Sequence, residues 1–389
     1  MKTQVAIIGG GPAGLLLCRK LMRHGISTVL LEKHTRQHVL SRVRAGVLES
    51  GTVHELRDAG VAQRLDRERI EHGGVCLGDD NTDFRIDFRE LSGRPVTVYG
   101  QTEITRDLYE ALDRDCADIR HECPVVEIGN VETTQPHLLY RTRTGACRLD
   151  ADFIVACDGY HGVGRRFVPT SHRTEFERRL PYGWLGILAE APPVHHELVY
   201  SRSSRGFALA SMRSQQLSRY YIQVPRQHDP KDWSDQAFWK EFRRRLPGRF
   251  ADRLQTGPSI EKSIANLRAF VCGTLRFGRL LLCGDAGHIV PPTGAKGLNL
   301  AVSDVHYASN ALVQYFHHGD LQGLDSYSRK ALDRVWLAMR FSWWMTRMLH
   351  LDPQSDGFES QLRSAEFLHL RRAPGAQGMF AENYAGLPY

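Results

Sequence analysis

Residues 284–299 read Gly-Asp-Ala-Gly-His-Ile-Val-Pro-Pro-Thr-Gly-Ala-Lys-Gly-Leu-Asn, and these types at this spacing suit a polyol or anion site. Asp285 can accept hydrogen bonds from hydroxyl groups. The glycines and the Pro-Pro pair keep the backbone open, so its N–H groups can face a ligand. The apolar run 280–283 before it reads as a buried strand. The run 298–302 after it restarts a helix, whose N-terminus favours negative charge.

The start of the chain carries a second such arrangement. The strand-like run 4–8 leads into Gly9-Gly10-Gly11-Pro12-Ala13-Gly14, which fits G-x-G-x-x-G at Gly9, Gly11 and Gly14. A helical pattern follows at 15–23, then a strand at 28–31 that ends on Glu32. Strand, Gly-rich turn, helix, strand and acid in this order describe a dinucleotide-binding unit. The first glycine makes the turn, the second admits a pyrophosphate, and the third lets helix and strand pack. Glu32 is placed to accept ribose hydroxyls. A third strand, 153–157, is followed by Asp158-Gly159-Tyr160-His161-Gly162-Val163-Gly164-Arg165, again an acid and glycines at a strand's end.

The elements that must position these residues can be read coarsely. Alternation marks strands near 75–100, and a helix is expected over 103–117 with Thr105 as its N-cap. Strand-rich sequence returns at 122–157. Residues 175–275 read as a separate sheet-rich unit, with strands at 197–200, 206–211 and 219–224 and a helix at 234–246. Residues 299–389 are mostly helical. The expected class is α/β: a Rossmann-like dinucleotide-binding domain, carrying the GxGxxG, Asp-Gly and Gly-Asp motifs, an inserted sheet-rich substrate domain and a helical C-terminal region. Expected boundaries are 1–72, 97–174 and 276–300 for the first, 73–96 and 175–275 for the second, and 301–389 for the third. Pockets favour such domain junctions.

Composition narrows the function. The 389 residues carry 51 Lys and Arg against 44 Asp and Glu, a net charge of +7 that suits an anionic ligand. The basic residues are scattered. The dense spots, Arg243-Arg244-Arg245 and Arg371-Arg372, read as solvated helix faces, not as a nucleic-acid stripe. No run approaches the roughly 18 apolar residues of a membrane span, and the interrupted N-terminus does not read as a signal peptide. The aromatic segment 332–349 reads as core or subunit interface. Eight cysteines without a C-x-x-C pair suggest free thiols in a reducing cytosol. Cys116, His121 and Cys123 lack a second ligand pair, so no metal is expected.

The three motifs, in this order, resemble the flavin-dependent aromatic hydroxylases. So do Arg42-Val43-Arg44-Ala45-Gly46-Val47-Leu48-Glu49, Tyr99-Gly100-Gln101-Thr102-Glu103, Gly183-Trp184-Leu185-Gly186, Ser218-Arg219-Tyr220-Tyr221, Phe341-Ser342-Trp343-Trp344 and Glu382-Asn383-Tyr384. The likeness covers essentially the whole chain. It implies hydroxylation of 4-hydroxybenzoate to 3,4-dihydroxybenzoate with O2, FAD and NADPH, NADH being the other possible donor. It also implies a cytosolic homodimer.

The same resemblance assigns roles. Gly9, Gly11, Gly14 and Glu32 would hold the adenosine half of FAD and Asp285 its ribityl chain. Asp158 belongs to the same set. Backbone N–H groups at Leu298 and Asn299 would face the flavin's N1 and O2 end, and Arg42, Arg44 and Gln101 the pyrophosphate. Arg213 would pair with the substrate carboxylate, a bidentate geometry that guanidinium favours, with Ser211 and Tyr221 adding donors. Tyr200 would take the proton of the 4-hydroxyl and pass it to Tyr384, with His72 as the relay's terminus. The Pro292 carbonyl would face the substrate hydroxyl.

Lys33, His38, Arg42, Arg44, Tyr160, His161, Arg165, Arg219 and Arg268 match positions for the nicotinamide donor or for flavin movement, with Arg219 as the control point. The segment 33–38 departs from well-known members, which read Arg-Gln first and Tyr last. Lys33 and Arg36 could still meet a 2′-phosphate. A hydroxylase of another substituted benzoate and a flavoprotein redox sensor are the competing readings.

Overall fold

The computed structural model describes residues 2–41 and 46–389. The expectations for Arg42 and Arg44 therefore lie outside the described residues.

The first sheet explains why the motifs converge. Its parallel strands stand in the order Leu280–Leu282, Gly145–Ala156, Lys2–Ile8, Thr28–Leu31 and Asp118–Arg120. The register aligns Leu31 with Ile8, Ile8 with Ala156, and Ala156 with Leu282. One to three residues beyond that row come Glu32, Gly9, Asp158 and Asp285. Four motifs scattered over the sequence thus leave the same edge of one sheet, the carboxyl edge where α/β folds bind ligands. The strand segments 5–8, 29–31, 153–156 and 280–282 are apolar and buried, as in a sheet covered by helices. Pro12–Arg23 is the first of these, with proline in its first turn and Leu15, Leu16 and Leu17 buried.

A second sheet has eight strands, ordered His288–Ile289, Ser259–Cys272, Glu175–Ala189, Ser218–Pro225, Gly206–Met212, Val199–Ser203, Gly74–Gly78 and Asp83–Asp87. Side chains alternate across it. One face carries Leu185, Ile187, Ala208 and Ile222 against Phe238, Trp239 and Phe242 of the helix Asp235–Arg245. The other carries Trp184, Tyr200, Phe207 and Leu209 against Phe341, Met345, Phe380 and Tyr384 of the C-terminal helices. Tyr200 of the sheet and Tyr384 of the helix Pro374–Ala385 meet at this second face. The His288–Ile289 strand pairs with Phe270 and Val271. The loop carrying Asp285 therefore crosses from the first sheet to the second within a few residues.

Two local expectations differ. The helix expected from 103 runs Gln101–Arg114, with Gly100 at its N-cap. Thr105 lies inside it and donates back to the Gln101 carbonyl at 2.9 Å, as Thr can within a helix. Arg245 is buried, not solvated. It bonds the carbonyls of Phe207 and Gln223 at 3.1 and 2.7 Å and pairs with Glu241 at 3.0 Å. All eight cysteines are free thiols. No helix among the described residues is long and apolar enough to cross a membrane.

Candidate active site

The edge of the first sheet fits a dinucleotide. Gly9 has φ +104°, and a Cβ there would lie 2.4 Å from the Cys157 carbonyl. A Cβ on Gly14 would meet the Gly9 carbonyl, so helix and strand touch backbone to backbone. Gly11 has nothing within 4 Å of its would-be Cβ, leaving open space where a phosphate needs it. Glu32 accepts the Gly10 and His34 N–H groups at 2.6 and 2.8 Å, and its remaining lone pairs can still take hydroxyls. A narrow cleft of about 70 Å³ lies here, lined by Gly9, Glu32, Lys33, Asp158 and His161 among others.

Asp158 first serves its own turn. It accepts the Gly164 N–H at 2.8 Å, its Oδ1 is buried without a partner, and burial raises its pKa. Gly162 is glycine because a Cβ would strike the Asp158 carboxylate.

The Asp285 turn is clamped from behind by a residue that sequence reading missed. Asp304, fully buried on the helix Gly297–His318, accepts the Gly284 N–H at 2.7 Å and His288 Nε2 at 2.6 Å. One carboxylate thus grips both ends of the turn. An acid 16 residues beyond His288 on a helix gave no signal, since helices commonly carry acids on exposed faces. Burial opposes charge on His288, but Asp304 more than offsets it and the net pKa is raised.

Leu298 and Asn299 open that same helix, which has no side-chain N-cap. Its first N–H groups are the ones a helix leaves unpaired. The Asn299 side chain is committed elsewhere. Its oxygen accepts from Glu49 N and Thr52 Oγ1 at 2.9 and 2.7 Å, and its nitrogen donates to the Val47 and Ala295 carbonyls at 3.0 and 2.8 Å. It fastens residues 47–52 to the loop. Lys296 is buried beside it, bonded to Glu49 at 2.7 Å and to the Tyr384 carbonyl at 3.0 Å. Gln101 opens its helix next to Tyr99, against whose carbonyl Gly46 packs too closely for any side chain.

The substrate-side residues share one face of the second sheet. The register sets Tyr200 opposite Leu209, Leu209 opposite Tyr221, and Ser211 opposite Arg219. Arg213 lies just past the end of its strand, where its backbone N–H bonds the Leu217 carbonyl at 2.9 Å. Arg213 has no carboxylate partner among the described residues, its Nε is buried and unbonded, and burial lowers its pKa. A buried guanidinium without an anion is costly and fits an incoming carboxylate. Gly186 is glycine because the Tyr221 ring lies over it.

Tyr200 and Tyr384 are both 1 % exposed, with their hydroxyls 2.6 Å apart. Tyr200 donates to the Thr293 carbonyl at 3.1 Å. Thr293 is a further residue that the sequence did not single out. The Pro292 carbonyl accepts the Ala295 N–H at 2.9 Å within the same turn. Burial raises both phenol pKa values. His72 is fully buried, both ring nitrogens lack partners, and burial brings its pKa to about 4. No hydrogen bond joins it to Tyr384 among the described residues. The two are joined through packing: the carbonyl of Gly73, next to His72, holds the Phe88 N–H at 2.7 Å, and the Phe88 ring stacks 5.0 Å from that of Tyr384.

The nicotinamide-side residues cluster only in part. Tyr160 sits among Arg165 and Arg268, whose guanidiniums lie 5.0 and 4.5 Å from its ring, with His161 against its edge. Arg165 also pairs with Glu175 at 3.1 Å. Arg219 is held by Glu261 at 3.0 Å and covers the Tyr221 ring. Lys33 is exposed at the mouth of the adenosine cleft. His38 stacks on His34 away from Tyr160's group. Arg36 pairs with Asp113 at 2.7 Å and covers Tyr109, so it is not free for a 2′-phosphate. Cys76, His195 and Glu197 approach one another closely enough to hold a metal ion. However, Arg85 takes both Glu197 oxygens at 2.7 and 2.8 Å.

Known proteins share this arrangement. The FAD binding domain family matches residues 2–342. The p-hydroxybenzoate hydroxylase of Acinetobacter baylyi is 48% identical over 390 residues, covering 100% of this chain and 96% of that one. The para-nitrophenol 4-monooxygenase of a Pseudomonas species is 25% identical, covering 87% of this chain and 84% of its own. The crystal structure of p-nitrophenol 4-monooxygenase from Pseudomonas putida superposes with a TM-score of 0.82 at 20% identity, covering all of both chains, which speaks for the fold. The chain belongs to the FAD binding domain family and is a flavin-dependent monooxygenase of it.

Proposed function

We propose that this enzyme hydroxylates 4-hydroxybenzoate at the 3-position, consuming O2 and NAD(P)H and releasing 3,4-dihydroxybenzoate and water. The observation that carries this reading is an Arg213 with a buried, unbonded Nε just past the strand Gly206–Met212, together with the hydrogen-bonded phenols of Tyr200 on the same sheet and Tyr384 on the helix packed against it. A ring with a carboxylate at one end and a hydroxyl at the other matches both. FAD, when bound, accepts a hydride from the nicotinamide and supplies the electrons that activate O2. It would be held by Gly9, Gly11, Gly14, Glu32, Asp158 and Asp285, by the N–H groups of Leu298 and Asn299, and by Gln101.

The residues of this chain do the remaining work. Arg213, with Ser211 and Tyr221, fixes the carboxylate and hence the ring's direction. Tyr200 takes the proton from the 4-hydroxyl and Tyr384 carries it onward, because attack beside an oxygen is faster on the phenolate. An ordinary phenol has a pKa near 10, so the proton must be given a path. His72 is the proposed terminus and Pro292 the carbonyl facing the substrate hydroxyl. Lys33, His161, Arg165 and Arg268 are proposed to meet NADPH, with NADH as the alternative donor, and His38 and Arg219 to assist. The reading includes a cytosolic homodimer.

The test mixes FAD-loaded protein with 4-hydroxybenzoate and follows NADPH and NADH oxidation, 3,4-dihydroxybenzoate and peroxide together. Product in step with nicotinamide supports the reaction and ranks the donors. Oxidation that yields only peroxide means the true substrate is another substituted benzoate.

A further inference from the structure

The helix Gln322–Leu349 and the second sheet leave an aromatic cleft of about 330 Å³ outside the site described above. Its walls include Phe176, Trp336, Met339 and Trp343. Phe176 and Trp336 are 50 % and 43 % exposed, and their rings meet edge to face at 5.4 Å. Two large aromatics left open to water around a concavity mark a binding site, and the volume suits a ligand of one or two rings.

The charge at its rim is positive. Phe176 and Arg178 share a face of one strand; Glu177 between them also borders the cleft, with its side chain on the other face. The Glu177 carboxylate is taken on that other side by Arg179 Nε at 2.9 Å and by the Tyr160 hydroxyl at 3.1 Å. Arg178 and Arg340 both line the cleft, and neither has a carboxylate partner among the described residues. Arg340 reaches only the Asn383 side-chain oxygen, at 3.1 Å. The cleft borders the cluster around Tyr160: Phe176 and Arg178 pair in register with Val271 and Ala269, while Glu177 and Phe270, which alternate with them and also line the cleft, contact Tyr160.

We propose that this cleft is a second binding site for a small aromatic carboxylate, its ring between Phe176, Trp336 and Trp343 and its anion on Arg178 and Arg340. The floor gives such a ligand a route to the reaction centre. Ala269, Val271 and Met339 pack in one cluster with Val290 and Leu300, the residues that flank the Pro291–Asn299 loop. Arg340 meanwhile bonds Asn383, the neighbour of Tyr384. The inference stands on the cleft's own walls and charge and does not need the proposed reaction.

Equilibrium dialysis of the FAD-loaded full chain with labelled 4-hydroxybenzoate, carried to millimolar concentration, tests it. The intact protein should bind two equivalents, unlabelled benzoate should displace both, and Trp336→Ala and Arg178→Gln should each bind one. Arg213→Gln should also bind one, losing the other equivalent. A single equivalent that Arg213→Gln abolishes and Trp336→Ala spares overturns the proposal. A single equivalent that Trp336→Ala and Arg178→Gln abolish supports the cleft and instead removes Arg213 from the carboxylate site. Unchanged stoichiometry in both cleft variants, with a dimer-to-monomer shift by light scattering, makes the face a subunit contact and overturns the proposal as well.

Discussion

The hydroxyl of Tyr384 lies 2.6 Å from that of Tyr200, and Tyr200 already gives its proton to the Thr293 carbonyl. A phenol has one proton to donate, so Tyr384 must donate to Tyr200 in this arrangement. Removing a proton from a substrate phenol requires the opposite sense. Tyr200 must accept from the substrate and turn its own proton toward Tyr384, so when the substrate binds the bond to the Thr293 carbonyl breaks and the bond between the two tyrosines reverses. Burial holds both tyrosines protonated at neutral pH. The pair therefore works by exchanging protons along the chain, not by standing ionised.

Tyr200→Phe and Tyr384→Phe should each raise the apparent pKa of bound 4-hydroxybenzoate, read from its phenolate absorbance. Product formation should fall by about 10²- to 10⁴-fold, the usual worth of positioned acid–base groups. Nicotinamide oxidation should continue and yield peroxide. A bound phenol that titrates as in the unaltered protein, in either variant, removes that tyrosine from the relay.

Arg213 sits half-buried, its Nε enclosed and without a carboxylate partner among the described residues, and the substrate carboxylate is proposed to complete it. Truncating one partner of a buried charge pair costs roughly 2–5 kcal/mol. Arg213→Gln should weaken 4-hydroxybenzoate binding on the order of 10²-fold or more, and Arg213→Lys less, since lysine keeps the charge but not the fork. Phenol, which lacks the carboxylate, should bind both variants equally. A dissociation constant that does not move in Arg213→Gln places the carboxylate elsewhere.

A Cβ on Gly186 would come within 2.6 Å of the Tyr221 ring and 3.3 Å of Arg219 Nη2. Gly186→Ala should push that ring off the sheet and disturb the Arg219–Glu261 pair. The backbone here is ordinary strand, so stability should drop only modestly, by about 1–3 kcal/mol for an overpacked contact. Substrate affinity should fall more than the melting temperature suggests. Full affinity in a folded Gly186→Ala protein rules out a role for Tyr221 in binding.

The motifs at Gly9, Glu32, Asp158 and Asp285 were readable because each follows a short apolar strand, and the strand register then forces them to one edge. Tyr200, Ser211 and Tyr221 were placed only through family resemblance. Nothing in their spacing says that three strands will set them on one face. Asp304, Thr293 and the committed side chain of Asn299 gave no signal, because their partners lie across the fold or act through backbone atoms. Arg245, the last of three consecutive arginines, reads as solvated in sequence, and only the fold supplies the two strand carbonyls that bury it.

His72 carries two buried, unbonded ring nitrogens, and burial depresses its pKa to about 4. The sign follows from the unfolded value near 6.5. Below that, the unfolded chain binds a proton that the folded one refuses, so stability present above pH 6.5 is lost as pH falls toward and through 4. His72→Phe should flatten the fall of the urea midpoint between pH 7 and pH 5. It should not abolish it, because burial also holds His350 down to about 3. A midpoint that falls as steeply in His72→Phe as in the unaltered protein means that His72 already carries a proton when folded.

Asp304 grips Gly284 and His288 with a single oxygen, and Asp285 lies between them. Asp304→Asn keeps the volume but removes the charge that balances His288. The turn should loosen without the helix Gly297–His318 unfolding, and FAD should be retained less well through gel filtration, with a rise of about 10-fold or more in its dissociation constant for a charge-assisted bond of 1.5–3 kcal/mol. The pH dependence has the opposite sign to that of His72. His288 has a raised folded pKa, so its contribution is complete below the unfolded pKa near 6.5 and is lost as pH rises through the folded one. The urea midpoint should therefore lose this contribution as pH rises in the unaltered protein, and that component should be absent in His288→Gln. Equal FAD affinity in Asp304→Asn and the unaltered protein would mean that the turn is held by its own backbone and that the carboxylate merely neutralises a buried imidazole.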